Sequence, residues 1–374
     1  MDYRDKAGNE AERYVGEEFY IDKTTPLIAF RGVEDGSANN GVVAPEISIT
    51  DSNYDTNGIT IDLYGVNHGT LKPDGVYSTQ SSGQIFTFYN FPEEQSNDDI
   101  YTVTVTATDL AGNETKEELT FSVNRFGSVY VFDSSLKKIA GSYVQEEIDV
   151  RLTEVNVDSL EHDTIRVVVD TNGTISDLKE GIDYTVVATG GNGGWYQYDY
   201  TIDKSLFSGD GRYIITLYSK DAAGNMNVNI DESKEAEISF GIDKTPPVVI
   251  PVDITSEKQY ALEEKTATVA ISDNLILENV EVYINDVKCE YEAEGENYIF
   301  HVQSSNSRQD IMVAAEDSAG NRTNYVISGV LVTTNAFIRW YHNTPLFAGS
   351  IAGAAAISGA GIGGFVYRKK RRVK

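Results

Sequence analysis

Cysteine occurs once in the 374 residues, at Cys289, and histidine occurs four times. A single thiol excludes an intrachain disulfide framework. The scattered histidines and the lone cysteine also provide no zinc-binding or thiol-catalysis constellation. We therefore expect the chain to depend on packed hydrophobic cores, for which its 40% of hydrophobic residues suffice.

Positive charge is also scarce, because 58 acidic residues face 30 lysines and arginines and give a net charge of −28. The sequence before residue 368 is more acidic than the chain as a whole, because six of the 30 positive residues lie within 368–374. A surface of this sign repels nucleic acid and anionic lipid, so we expect no nucleic-acid partner. Hydrolase motifs, phosphate-binding loops and His-based triads are missing too, and we expect no enzymatic activity.

A long hydrophobic run occurs only near the C-terminus, where Leu346–Tyr367 comprises 22 residues without a charge. As a helix this segment would be about 30 Å long, which matches the hydrocarbon core of a bilayer. A basic cluster follows it, and such clusters stay on the cytoplasmic side. The cluster contains Arg368, Lys369, Lys370, Arg371 and Arg372. The sequence therefore predicts a single-pass cell-membrane protein with its N-terminus outside and its C-terminus in the cytoplasm.

Two further features concern this anchor. Gly349/Gly353 and Gly359/Gly363 form two GxxxG pairs, which allow helix dimerisation; a span that is simply rich in small residues is the alternative. The hydrophobic and basic end also resembles a Gram-positive cell-wall sorting signal. The LPxTG-type pentapeptide of such signals is missing at His342–Leu346, so we expect a retained membrane anchor rather than sortase attachment.

The motif Asp-x-Ala-Gly-Asn is repeated at spacings of 104, 112 and 96 residues. Its copies are Asp5–Asn9, Asp109–Asn113, Asp221–Asn225 and Asp317–Asn321. Periods near 100 residues match one β-sandwich each. Tyr101–Asp109 alternates apolar residues with threonine, which predicts a strand that ends at the Asp. Gly and Asn then favour a turn, formed by Asp109, Gly112 and Asn113, by Asp221, Gly224 and Asn225, and by Asp317, Gly320 and Asn321.

A second marker, Asp22–Pro26, recurs as Asp243–Pro247, and its prolines predict stiff joints between domains. Together the two motifs resemble the tandem bacterial Ig-like domains of Firmicutes-like surface proteins, over roughly residues 1–333. This resemblance implies Ig-like β-sandwiches that serve as stalks, spacers or adhesive units. The domains expected on this basis are 20–125, 126–242 and 243–333, followed by a linker 334–345, the span 346–367 and the tail 368–374.

The first repeat lacks the strands that precede it in the others. Residues 1–19 therefore read as the closing hairpin of a truncated Ig-like domain, and a single hairpin is only marginally stable. We expect the chain to be the C-terminal part of a longer protein, whose missing portion carries the export signal.

Two candidate binding sites stand out. Asp51, Asn53 and Asp55 place oxygens at alternate positions, as in a calcium loop, although the Gly and Glu of such loops are missing; a solvated loop is the alternative. No other cofactor is expected. On the predicted strand around Trp195, the side chains of Trp195, Gln197 and Asp199 share the face opposite a core-facing tyrosine row, Tyr196, Tyr198 and Tyr200. Trp195 is thus a candidate contact for an extracellular glycan or protein.

The sequence as a whole predicts an all-β chain of tandem Ig-like sandwiches with one C-terminal transmembrane helix. Its expected function is a non-catalytic extracellular stalk or adhesion region. The alternative is the stalk of a cell-surface glycoside hydrolase, or another polymer-degrading enzyme, whose catalytic domain lies upstream.

Overall fold

The computed structural model describes residues 3–19, 21–343 and 345–351. Its strands form three consecutive two-sheet units, called module 1 (residues 27–123), module 2 (129–242) and module 3 (248–332). Each module has its own hydrophobic core between its two sheets. The predicted all-β, Ig-like sandwich architecture is therefore present.

Module 1 pairs a four-stranded sheet with a five-stranded sheet. Its strands are β1 (Leu27–Arg31), β2 (Ser37–Asn39), β3 (Glu46–Thr50), β4 (Tyr54–Gly65), β5 (Gly69–Leu71), β6 (Gly75–Gln80), β7 (Gly83–Phe88), β8 (Asp99–Asp109) and β9 (Glu114–Val123). The sheet orders are β1-β3-β7-β6 and β2-β9-β8-β4-β5. Neighbouring strands run antiparallel except the short β2, which pairs parallel with β9.

Module 2 is the longest module and contains a short helix. Its elements are β10 (Val129–Phe132), α1 (Ser134–Ile139), β11 (Tyr143–Val144), β12 (Val150–Asn156), β13 (Arg166–Thr171), β14 (Thr174–Asp177), β15 (Tyr184–Gly191), β16 (Gly194–Ile202), β17 (Gly211–Lys220), β18 (Met226–Val228) and β19 (Ile238–Ile242). The sheets are β10-β12-β16-β15 and β11-β19-β17-β13-β14, with β18 also paired to β17.

Module 3 repeats the plan of module 1. Its strands are β20 (Val248–Pro251), β21 (Gln259–Tyr260), β22 (Glu264–Ser272), β23 (Leu277–Ile284), β24 (Val287–Cys289), β25 (Tyr291–Glu294), β26 (Asn297–Gln303), β27 (Gln309–Asp317) and β28 (Arg322–Val332). The sheets are β20-β22-β26-β25 and β21-β28-β27-β23-β24. A short helix, α2 (Ala336–Tyr341), follows the module.

The strand that leads into each repeat turn is present in all three modules, as β8, β17 and β27. Along β8 every second residue is buried, from Tyr101 at 1% exposure through Val103 and Val105 to Ala107. The intervening threonines are half-buried. A period of two is what a strand with one core-facing side requires, so the sequence pattern predicted this strand correctly.

The N-terminal segment differs from the expected hairpin. The turn at Asp5–Asn9 forms, but only one isolated bridge, between Arg4 and Glu10, follows it. Residues 11–19 contain no strand and are exposed. A lone two-stranded ribbon is marginally stable at best in water, and a pairing limited to one bridge agrees with this.

The C-terminal segment beyond α2 is helical over residues 345–351. Within the described ranges, no helix is both long and apolar enough to span a membrane. Most of the expected span, the basic tail, and three of the four glycines in the GxxxG pairs (Gly353, Gly359 and Gly363) lie outside the described residues.

Candidate functional site at the module junctions

In all four Asp-x-Ala-Gly-Asn turns, the Asn donates through its backbone N–H to Oδ1 of the Asp and through its Nδ2 to Oδ2. In the module 1 copy, Asp109 Oδ1 accepts from the backbone N–H groups of Ala111 and Asn113, both at 2.8 Å. Asn113 Nδ2 donates to Asp109 Oδ2 at 2.8 Å, and this bond is the main reason that the pKa of Asp109 is lowered. Gly112 adopts φ = 88°, which a residue with a Cβ adopts only at a cost. The Asp is thus held by the turn.

The same Asn side chain also binds the linker that enters its own module. Asn225 Nδ2 donates to the carbonyl of Asn124, and Asn321 Nδ2 to that of Asp243, both at 2.8 Å. In module 1 the corresponding bond runs from Asn113 to the carbonyl of Asp22 at 3.3 Å. Each repeat turn therefore fixes the first residue of a joint, including the middle joint, which lacks the proline motif.

The linker between modules 1 and 2 is bound to module 1 through Arg125. Its guanidinium donates to the carbonyl groups of Gly41, Pro92 and Phe91 at 2.7–2.9 Å. The backbone N–H groups of Arg125 and its successor both donate to Asp98 Oδ2 at 3.0 Å. Burial raises the pKa of the Asp98 carboxyl. These bonds tie the joint to the module that precedes it.

Trp195 lies at the junction between modules 1 and 2, a position that the sequence pattern did not predict. Its indole Nε1 donates to Asp99 Oδ1 of module 1 at 2.9 Å, and the ring is half-buried. Gln197 and Asp199 remain exposed on module 2, and Asp199 accepts a hydrogen bond from Thr153 Oγ1. Of the three residues of the expected binding face, Trp195 contacts module 1, whereas Gln197 and Asp199 are exposed on module 2.

The carboxylate that receives Trp195 is fully buried. Asp99 also accepts from the backbone N–H groups of Asn67 and His68, and from His68 Nδ1 at 2.7 Å. A buried charge is tolerated when several donors satisfy it, because the lost hydration is then replaced. Trp195 completes this shell from the neighbouring module, so the contact couples the two modules.

The tyrosine row on β16 behaves as the sequence predicted. Tyr198 and Tyr200 are 6% and 1% exposed, while Tyr196 is half-buried at the end of the row. Tyr200 donates through its hydroxyl to Glu154 Oε2 at 2.8 Å. Glu154 is completely buried, also accepts from Ser128 Oγ and Ser219 Oγ, and has a pKa raised chiefly by burial.

The linker between modules 2 and 3 is held by Asp210 of module 2. Asp210 Oδ1 accepts from the backbone N–H of Lys244 at 3.0 Å, and Oδ2 accepts from the hydroxyl of Thr245. Asn274 of module 3 adds a bond to Oδ2 at 3.2 Å. Module 2 thus contacts both the joint and the next module through one side chain.

Two groups of three carboxylates lie where a linker, a loop and a repeat turn meet. Asp22, Asp51 and Asp109 form the group of module 1, and Asp243, Asp273 and Asp317 form that of module 3. In each group one oxygen per residue lies within 4.8 Å of the other two. Such oxygen-only sets suit hard divalent cations. The recurrence of Asp at the start of both proline-containing joints was the sequence signal for them.

The expected calcium loop is only partly assembled at the module 1 group. Asp51 belongs to the group. Asn53 lies beside it, because its Nδ2 donates to Asp22 Oδ2 at 2.7 Å and its backbone N–H donates to Asp51 at 2.6 Å. Asp55 does not belong to the group and instead caps a local turn by accepting from the N–H of Asn57. The oxygens that come together originate from three segments rather than one loop.

Comparisons with known proteins concern the fold. Residues 32–125 match the model of the family "Bacterial Ig-like domain". No curated protein matches the chain. Solved structures similar to the chain include a tetra-tandem repeat from the extending region of a large adhesion protein, with 14% identity over 88% of this chain and 80% of that chain, at a TM-score of 0.33.

Others are part of a 1.5-MDa bacterial ice-binding adhesin (15% identity, 84% of this chain, 100% of that chain, TM-score 0.24) and the fibronectin(III)-like modules of CbhA from Clostridium thermocellum (15%, 55%, 94%, TM-score 0.26). At TM-scores this low, these likenesses carry no argument about function. Module 1 is similar to bacterial Ig-like domains over residues 32–125.

Proposed function

We propose that this chain is a non-catalytic extracellular stalk that holds another part of a bacterial surface protein away from the cell membrane. The observation that carries the proposal is that hydrogen bonds fix the linkers between the modules. Each linker is bound by the repeat turn of the module that it enters. The linkers after modules 1 and 2 are also bound by the preceding module. Fixed joints limit bending, which is what a spacer requires.

The use of Trp195 supports a spacer over an adhesive site centred on this residue. Its N–H group, which a sugar-binding tryptophan would offer to a ligand, donates to Asp99 within the chain. Gln197 and Asp199 are exposed, and their partners on the adjacent strands are Val155, Thr189, Thr153 and Val187, which are not aromatic. Aromatic stacking provides most of the apolar contact in such sites.

Membrane attachment is part of the proposal and rests on the sequence. The uncharged segment 346–367 followed by the basic tail 368–374 has the length and the charge asymmetry of a single-pass anchor. The acidic body keeps the modules away from anionic lipid. The modules would then stand outside the cell with the tail in the cytoplasm.

Joint stiffness can be measured between modules 2 and 3. In a Cys289→Ser background, spin labels at Ser176→Cys and Glu292→Cys occupy exposed positions on the two modules. We expect a narrow distribution of label distances in electron paramagnetic resonance of the full chain in detergent. Asn321→Ala removes the hydrogen bond to the joint and should broaden the distribution of label distances. Asn324→Ala, three residues later in the chain and exposed on β28, is the matched control. A broad distribution in the parent protein would contradict the proposal.

Attachment is tested separately in bacteria that express the full chain behind a secretion signal. External protease should cleave the modules in intact cells, and the protein should sediment with membranes. Deletion of residues 346–374 should release it into the medium. Release without the deletion would refute the anchor while leaving the stalk intact.

A further inference from the structure

Two of the three carboxylates in the module 3 group are buried, and the third is half-buried. Asp243 is 0% exposed and Asp317 is 2% exposed, and Asp273 joins them from the loop after β22. They come from the joint, the loop and the repeat turn respectively. Among the described residues, no lysine or arginine forms an ion pair with any of the three. Three carboxylates held together in this way repel one another.

Hydrogen bonds satisfy only part of this group. The repeat turn supplies donors to both oxygens of Asp317. Asp243 Oδ1 accepts from the N–H of Thr245, and Asp273 Oδ2 from that of Leu275. Asp243 Oδ2 and Asp273 Oδ1 are buried and accept no hydrogen bond. Buried carboxylate oxygens without a partner are costly, and a bound cation would offset this cost.

The middle joint shows what replaces that ligand. Its linker residue is Asn124 instead of Asp, and it is fully buried. The Asn124 amide donates to Asn156 Oδ1 at 2.8 Å, Asp158 Oδ2 at 2.9 Å and Asp221 Oδ2 at 3.1 Å. The amide hydrogens therefore bridge oxygens from the loop and from the repeat turn. A cation would have the same task in module 3.

We propose that Asp243, Asp273 and Asp317 bind one Ca²⁺ ion that locks the joint to module 3. Their oxygens all lie within 4.8 Å of one another, close enough to share one ion. Ligands from three separate segments suit the flexible coordination of Ca²⁺ better than that of Mg²⁺, which demands near-ideal octahedral contacts of about 2.0–2.1 Å.

The module 1 group differs in this respect. The Asn53 amide donates to Asp22 Oδ2, and the repeat turn supplies donors to both oxygens of Asp109. In the module 3 group, Asp243 Oδ2 has no such donor. The proposal therefore concerns module 3. The proposal does not depend on the function of the chain as a stalk.

The test is calcium titration by isothermal calorimetry on the full chain in detergent, after chelator treatment, up to about 10 mM free Ca²⁺, which covers the affinities of extracellular calcium modules. The parent protein should bind one ion. Asp243→Asn copies the middle joint and should bind one ion fewer while remaining folded without calcium. Asp286→Asn removes an exposed acid of module 3 outside the group and should bind like the parent. The reciprocal change, Asn124→Asp, should add one ion.

Hydrogen exchange gives an independent measurement that can also be made on a variant of reduced stability. Calcium should slow exchange at residues 243–245 and 273–276 at least tenfold in the parent protein, and Mg²⁺ at equal concentration should not. In Asp243→Asn the slowing should be lost. Unchanged stoichiometry in this variant, calcium-dependent slowing that persists in it, or the absence of calcium binding in the parent would each overturn the proposal.

Discussion

Asn321→Ala should destabilise module 3 and release its joint at the same time. The Asn321 amide donates to Asp317 Oδ2 and to the carbonyl of Asp243, both at 2.8 Å. A hydrogen bond to a charged group contributes about 1.5–3 kcal/mol and one to a neutral group about 0.5–1.5 kcal/mol. Water replaces part of both at this half-buried position, so we expect a loss of about 2 kcal/mol in the free energy of unfolding.

For a module of this size, such a loss lowers the midpoint of thermal unfolding by roughly 8–16 °C. Scanning calorimetry of the full chain in chelator measures the shift without a contribution from metal. Hydrogen exchange then assigns it to a module, since only peptides of module 3 and residues 243–247 should exchange faster.

The control is Asn324→Ala on the strand that follows the turn, whose exposed side chain forms none of these bonds. It should change the free energy of unfolding by less than about 0.5 kcal/mol. Equal effects of the two variants would show that the turn amide does not hold the joint. Faster exchange in module 3 with an unchanged joint would refute the coupling but not the stabilising role.

Three further changes test other features. Trp195→Phe keeps an aromatic ring but removes the N–H that binds Asp99; we expect a loss of about 1.5–3 kcal/mol in the module 1–module 2 contact, seen as faster exchange at residues 97–101. Gly112→Ala meets no neighbouring atom but requires a residue with a Cβ at φ = 88°, and should cost module 1 about 1–3 kcal/mol in urea unfolding. Burial raises the pKa of Glu154 above its ordinary 4.5, so its stabilising contribution is complete below that pH and is lost as the pH rises through the raised pKa. Glu154→Gln should therefore flatten this decline in the thermal midpoint of module 2, and an unchanged pH profile would contradict the assignment.

Local patterns in the sequence predicted the strands well. The alternation before Asp109 predicted strand β8, and the alternation around Trp195 placed Tyr198 and Tyr200 in the core, where both side chains are buried. The repeat turn was equally readable, because its donors and acceptors are at most four residues apart. Period and turn chemistry are both encoded locally.

Other features depended on contacts between distant segments. Trp195 meets Asp99 across 96 residues, and no strand pattern specifies a contact between modules. Helix α1 was also missed, although Asp133 caps it by accepting from the N–H of Leu136 at 2.7 Å. Asp is a preferred residue at the N-terminal cap of a helix, so the local sequence does contain a signal for this element.

The calcium candidates show the same limit. A search for alternating oxygens within one loop selected Asp51, Asn53 and Asp55, but the structure assembles Asp51 with residues from a joint and a turn. Register between segments decides which acids meet, and a sequence with 58 acidic residues offers too many pairs to choose from.

The bond from each repeat turn to its own joint has a consequence for recombination. The amide donor lies in the module, and the carbonyl acceptor precedes the first strand of that module. The segment that recombination must transfer intact therefore begins at the linker residue, at positions 22, 124 and 243. A gene fusion at one of these positions transfers a module together with the linker residue to which its asparagine is hydrogen-bonded. A cut after the linker would give the transplanted module a foreign segment that its asparagine has not been selected to hold.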